Sequence, residues 1–255
     1  MLRLFAAIAV LLTMIPTSAF GQLASQEDRR AAIERYREGQ QYLVSEQWAK
    51  AAEEFTAAIK LDSLLTLAHY GLGQAYMGMK DYSAAIRAFS GCKEAHHRLA
   101  QLQDSNRVAV ERMQDEELRE LRDSLRTLQS GTNKGANPLT LQGLQNRIRD
   151  LENARQRNMP VEQSTPAEVS LALGSAYFRR GDLADAEREY RAAIAVSPKM
   201  GEAHNNLAVV LFMTQRVDEA KGEAALAKKN GFKVNPQFEE DLKNAKQVKQ
   251  EAQPQ

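Results

Sequence analysis

The sequence predicts an all-α helical solenoid in two repeat pairs, with an inserted antiparallel helical hairpin that packs as a coiled coil. Three observations carry that prediction. Six residue positions recur 34 residues apart, first in one pair of units and again in a second. Helix stop and start signals punctuate these units at Lys80-Asp81, Gly181-Asp182 and Ser197-Pro198. Between the pairs stand two leucine stripes at helical spacing, separated by a run of breakers. Composition agrees, since the 255 residues are 43% apolar and 26% charged, as in globular chains. With 34 basic against 33 acidic residues, no excess of positive charge points to nucleic acid.

The first element stands outside the fold. Arg3 precedes an apolar run from Leu4 to Ile15, which Pro16 breaks and small residues follow. This is the pattern of a secretory signal peptide over residues 1–21. Ala19 and Gly21 suit a cut ahead of Gln22, with a cut after Ala19 as the second choice. As a retained anchor the run is too short, because a dozen residues rise about 18 Å against a hydrocarbon core of ~30 Å. The expectation is a periplasmic or secreted protein with no integral membrane segment after cleavage.

Residues 22–92 hold the first pair of repeats. Gly39, Tyr42, Trp48, Ala51, Phe55 and Ala58 are matched one period later by Gly73, Tyr76, Tyr82, Ala85, Phe89 and Cys92. Residues 166–230 hold the second pair, where Gly174, Tyr177, Leu183, Ala186, Tyr190 and Ala193 are followed by Ala208, Leu211, Val217, Ala220, Ala224 and Ala227. The units begin at Ala32, Thr66, Ala167 and Gly201, and each is expected to fold as two helices. Small side chains at repeat positions 8 and 20 let those helices approach, while large ones at 11 and 24 fill the space between them and the next unit. One unit cannot bury its own apolar face, so neighbours must stack.

These positions resemble the tetratricopeptide repeat family, a helix-turn-helix solenoid. The third unit matches most fully, with Leu173, Gly174, Tyr177, Ala186, Tyr190, Ala193 and Pro198. The first departs at Glu38 and Ser63, the second has His97 in place of the final proline, and the fourth has Ala224 in place of the aromatic.

Residues 93–165 form the insertion and its linker. Leu118, Leu121, Leu125 and Leu128 recur at spacings that line one helix face, and so do Leu141, Leu144, Ile148 and Leu151 after a turn from Ser130 to Pro138. Two such stripes make an antiparallel hairpin, an arm expected to set the spacing of the two repeat pairs. Without a proline to stop it, the last helix of the second unit is expected to run on into the arm with a bend near Gly91. Alternating charge from Glu116 to Asp123 reads as a solvated helix face. In residues 231–255, Gly231 ends a helix and Asn235-Pro236 opens another, whose Phe238, Leu242 and Ala245 share one face; it is expected to cap the stack before a polar tail.

Residues that could carry chemistry read as structural. His96 and His97 are adjacent on a helix and point about 100° apart, which makes them poor co-ligands. His69 and His204 share repeat position 4, which argues for packing or a solvated interhelix edge. Gly71-Leu72-Gly73 lies inside a helix with no preceding strand, so it is a packing feature and no dinucleotide fingerprint. Cys92 stands where the other units have alanine, and as the lone cysteine it cannot supply a multi-thiolate site. No catalytic set, metal site or cofactor motif is motivated, and the expectation is a protein that is not an enzyme.

The resemblance implies that partners bind in a concave groove lined by the first helix of each unit. Its lining falls on Tyr36, Gln40, Tyr70, Gln74 and Met77 in the first pair, and on Leu171, Ser175, Phe178, Arg179, Asn205, Val209, Phe212 and Met213 in the second, with Asn206 beside them. Family members that clamp acidic peptide C-termini use lysine at position 5 and asparagine at position 9, and neither place matches in any unit here. Aromatic, methionine and amide side chains suit instead an extended or helical peptide. The expected function is an exported scaffold that binds a protein or peptide partner, with self-association through the hairpin as the alternative. As a groove residue, Tyr36 is expected to matter far less for stability than Tyr177 or Tyr190.

Overall fold

The computed structural model describes residues 24–105, 107–130, 138–156 and 165–251. The export segment, the hairpin turn and most of the linker lie outside them. Every regular element among the described residues is a helix: α1 Gln26–Val44, α2 Trp48–Leu61, α3 Thr66–Gly78, α4 Tyr82–Ser105, α5 Arg107–Ser130, α6 Pro138–Gln156, α7 Ala167–Arg180, α8 Leu183–Val196, α9 Gly201–Met213, α10 Val217–Lys229 and α11 Pro236–Glu251. Four units are α1–α2, α3–α4, α7–α8 and α9–α10. Helices α3, α7 and α9 begin on the first residue of their repeats, and α2, α4, α8 and α10 all begin at position 17.

The turn inside each unit is one backbone device used four times. Glu46, Lys80, Gly181 and Gln215 take positive φ of 56°, 61°, 99° and 64°. The next N–H then reaches back to the position 11 carbonyl: Gln47 to Tyr42 and Arg216 to Leu211 at 2.8 Å, Asp81 to Tyr76 and Asp182 to Tyr177 at 3.0 Å. This is a left-handed C-terminal cap that satisfies helix carbonyls. Gly181 alone adopts it without a Cβ penalty.

Within a unit the helices touch through a bare backbone and a ring. A Cβ on Gly39 would meet the Phe55 ring at 2.7 Å, one on Gly73 the Phe89 ring at 2.4 Å, and one on Gly174 the Tyr190 ring at 2.8 Å. Gly71 gives Phe55 the same room from the following unit. Gly91 likewise admits the His69 ring, with a Cβ there only 2.8 Å from Nδ1. That contact accounts for the glycine, and α4 continues through it as one helix to Ser105.

The two repeat pairs stack directly on each other. Ala85, Ile86 and Phe89 of α4 share a core with Leu173 and Ala176 of α7. The hairpin therefore does not space the pairs. Its seam closes on buried Leu118, Leu121, Ile148 and Leu151, and Leu67 of α3 packs against the same cluster. Two ion pairs then tie α5 to α1, Glu116 meeting Arg29 at 3.4 Å and Glu120 gripping Arg37 at 2.6 and 3.1 Å. The alternating charge read as a solvated face is in part the glue of this contact, because Glu117 also accepts from Arg147 of α6 at 3.1 Å.

His96 of α4 is sealed beneath this contact at 4% exposure. Burial pulls its pKa down to about 4, with the Arg147 and His69 charges adding to the effect and Glu117 opposing it. The folded imidazole stays neutral at pH 5, where an unfolded histidine with a pKa near 6.5 takes a proton. Stability present above pH 6.5 is therefore lost as the pH falls from there towards 4. Between pH 7 and pH 5, the wild type is expected to lose about 2 kcal/mol more than His96→Leu, read from urea midpoints at each pH.

Tyr36 is also interior, at 2% exposure, as closed off as Tyr190 at 1%. It packs on Phe55 with ring centroids 5.9 Å apart, which overturns the expectation that its loss would be mild. Tyr36→Ala and Tyr190→Ala are expected to lower unfolding free energy comparably, by about 3–5 kcal/mol each in chemical denaturation.

Candidate functional site

The face expected to line a groove has two halves with different fates. In the first, Tyr36 on α1 receives a hydrogen bond at 2.9 Å from the amide of Gln40, and its hydroxyl lies near the Ser124 side chain of α5. Burial, only partly offset by these bonds, pushes its hydroxyl up to about 12. Tyr70 on α3 lies against Phe89 at 5.5 Å, burial raises its pKa as well, and Met77 packs on the same α4–α7 core. Gln40 and Gln74 are half-buried. These five residues face the chain's own helices. Tyr70 and Met77 pack against α4 and α7, and Tyr36 lies beneath α5, which the Arg29–Glu116 and Arg37–Glu120 pairs tie to α1. A small cavity of about 50 Å³ remains beneath α5, between Arg29, Asp62, Leu67, His96, Glu117 and Arg147.

The second half stays open. Asn205 and Asn206 on α9 are half-buried, with the Asn205 amide donating to Asn206 at 3.3 Å. Asn205 and Val209 form one wall of a depression of about 460 Å³ whose other wall is Phe232, Gln237, Phe238 and Asp241 from the capping segment. Phe212 does not stand free beside it: its ring meets Phe238 edge-on at 5.6 Å, and Phe178 packs into the same core. Arg179 is exposed, and Met213 keeps 52% of its surface. The sequence reading brought together Asn205, Asn206, Phe212 and Met213 on one helix. It missed the wall from α11, whose apolar face was assigned to capping alone.

The cap is held by named contacts. Val234 and Leu242 are buried, Lys228 meets Glu239 at 2.9 Å, and the Gln237 N–H donates to the Asn235 side chain at 2.8 Å. The depression therefore offers the amides of Asn205, Asn235 and Gln237, apolar surface from Val209, Phe232 and Phe238, and one charge of each sign, Lys233 and Asp241.

The remaining singled-out residues have structural partners. His69 bonds the Ser63 carbonyl and His204 the Pro198 carbonyl, both at 3.0 Å, so position 4 ties α3 and α9 to the loops before them. His204 also meets Glu223 at 2.6 Å. Cys92 is buried with its Sγ 3.4 Å from the Thr66 carbonyl, and burial pushes its thiol up, away from the reactive thiolate. Among the described residues no group of three or more histidine, cysteine or carboxylate side chains is placed to hold a metal ion, and no helix is long and apolar enough to cross a membrane.

Comparison with known proteins bears on the repeats. No curated protein matches the chain. Among solved structures, TTC0263, a thermophilic TPR protein of Thermus thermophilus, is 17% identical, with 84% of this chain and 98% of that one covered and a TM-score of 0.31. YrrB, a TPR protein with an unusual peptide-binding site, is 16% identical over 81% and 88%, with a TM-score of 0.28. The TPR2AB domain of yeast Sti1, in complex with pHSP90, is 18% identical over 79% and 78%, with a TM-score of 0.26. A tetratricopeptide repeat family model matches residues 36–95 and 171–231, which hold most of α1–α4 and α7–α10. In these two stretches the chain is built of tetratricopeptide repeats.

Proposed function

We propose that the protein is an exported, non-enzymatic scaffold that holds a protein or peptide partner against α9 and the capping helix. The observation that carries this reading is the contrast between the two halves of one face: the Tyr36 and Tyr70 half is taken up by the chain's own α4, α5 and α7, while the α9 half keeps an open depression with Asn205 and Val209 on its wall. Asn205 supplies donor and acceptor groups suited to a peptide backbone, and Val209, Phe232 and Phe238 supply apolar contact. An aliphatic anchor buried there contributes about 1.5–3 kcal/mol, and each amide bond a net ~0.5–1.5 kcal/mol. After ordering costs, micromolar affinity follows. The hairpin's seam is closed within the chain, and no leucine of that seam is exposed among the described residues, so self-association draws no support from it.

A partner captured from the native host's envelope fraction, once identified and purified, tests the site by calorimetric titration. Val209→Glu is expected to weaken binding at least tenfold with unchanged circular dichroism. Loss of binding in Leu121→Lys with Leu144→Lys, while Val209→Glu binds fully, would move the site to the hairpin.

Export rests on the segment from Arg3 to Gly21. N-terminal sequencing of protein from the native host is expected to start at Gln22 or within two residues of it; recovery of an intact Met1 or Leu2 would remove the export claim.

A further inference from the structure

His96 stands where the hairpin meets the stack. It belongs to α4, is 4% exposed, and lines the cavity of about 50 Å³ together with Glu116, Glu117 and Glu120 of α5 and Arg147 of α6. Charged and titratable groups reach it from every neighbouring element. Glu117 and Arg147 come from the hairpin, paired with each other at 3.1 Å, and His69 comes from α3. Across the cavity are Arg29 of α1 and Asp62 at the end of α2. The carboxylates are already engaged: Glu117 with Arg147, Glu116 and Asp62 with Arg29, and Glu120 with Arg37. A proton on His96 therefore adds a buried cation beside Arg147, with Glu117 shared between the two.

The hairpin is also the weakest part of the cover. Among the described residues, Leu67 is the stack's one apolar side chain in the hairpin's cluster, and the two ties to α1 are ion pairs. The fit beneath is imperfect, since the Arg29 Nε is buried without a hydrogen-bond partner, 3.7 Å from Asp62. Lifting the hairpin lets His96 reach water while every ring-on-glycine contact between repeat helices stays in place.

We propose that the contact between hairpin and stack is an acid-released latch, in which protonation of His96 frees α5 and α6 from α1 and α3 while the repeats stay folded. The sign follows from the two states. Above pH 6.5 the imidazole is neutral whether covered or lifted, and the latch stays closed. Between there and about 4 only the lifted state takes the proton, so release grows as the pH falls. Asp62, and Glu168 beside Arg147, act in the opposite sense. Burial raises both above the ordinary carboxylate range, so the closed state takes up their protons first and release is curbed at lower pH. Burial lowers His69 too, but its ring sits against Gly91 between α3 and α4, a contact that the lifted hairpin leaves intact. The latch is separate from the depression beside α11, so its failure leaves the proposed function standing.

Hydrogen exchange of the full chain at pH 7 and pH 5, corrected for intrinsic exchange rates, reads the release, because a lifted hairpin keeps only its own seam and opens more often. From His96 alone the lifted fraction grows about twentyfold between these pH values. With Asp62 and Glu168 opposing, protection of α5 and α6 is expected to fall about tenfold more than that of α8 and α10. His96→Leu should abolish this selective fall, and His97→Leu, at the exposed neighbouring position, should keep it. If His96→Leu does not fold, His96→Gln, which also lacks a titrating ring, takes its place. No selective fall in the wild type overturns the latch, as does a selective fall that survives in a folded His96 variant. Equal loss of protection in hairpin and repeats also overturns it, placing the effect of acid on unfolding of the whole chain.

Discussion

The approach of a bare backbone at position 8 to an aromatic ring at position 24 sets the helix spacing on which the whole stack depends. Gly39, Gly73 and Gly174 each leave room that Phe55, Phe89 and Tyr190 occupy so closely that a single added carbon would overlap the ring. Phe55 also touches Gly71 of the next unit, so one ring gauges two distances, within a unit and between units. The fourth unit shows the rule by changing both partners: Ala208 stands for the glycine and Ala224 for the ring. The exchange adds one carbon and removes a ring, so close packing requires bulk from elsewhere. Leu242 of α11 completes the same core, so the cap supplies bulk to the one unit that lacks a ring.

That rule was legible because it is periodic. Matched residues one period apart located every helix of the four units, and the turn signals placed their ends to within a few residues. The hairpin's seam was legible for the same reason. Its direction was not, since the contacts that dock it, Arg29 with Glu116 and Arg37 with Glu120, join residues with no spacing relation to one another. Charged pairs of this kind look identical in sequence whether they face water or a neighbouring helix. Tyr36 followed from that omission: position 5 lines a groove only where the groove is empty, and here Ser124 and the rest of α5 lie over it. Phe212 failed differently, through a helix that was foreseen but treated only as an end plate, whose Phe238 closes on its ring.

The two ends of the solenoid thus solve the same problem by different means. An exposed first-helix face must be solvated, covered or used. At the α1–α3 end the chain lays its own hairpin over Tyr36, with the Arg29–Glu116 and Arg37–Glu120 pairs across the contact. At the α9 end it covers only part, with α11 lying over Phe212 and leaving Asn205 and Val209 at the rim. The buried His96, sensitive to acid because its neutral form is enforced, belongs to the first solution, and the open amide to the second.

Phe89 and Leu173 share a core although the entire hairpin lies between them in the chain. The entropy of closing a loop grows only with the logarithm of its length, so stretching a connection from about 4 residues to about 60 costs on the order of 2 kcal/mol. A hairpin already collapsed on its own seam costs less than that. The equilibrium stability of the stack is therefore little affected, but the joint between α4 and α7 becomes a contact between distant parts of the chain. In a quasi-one-dimensional array, order spreads from neighbour to neighbour, and distant pairings form slowly. The insertion thus divides the folding of one continuous stack into two nuclei, α1–α4 and α7–α10, that organise locally and join late. Its mark is on the rate of assembly and the order of events along the chain.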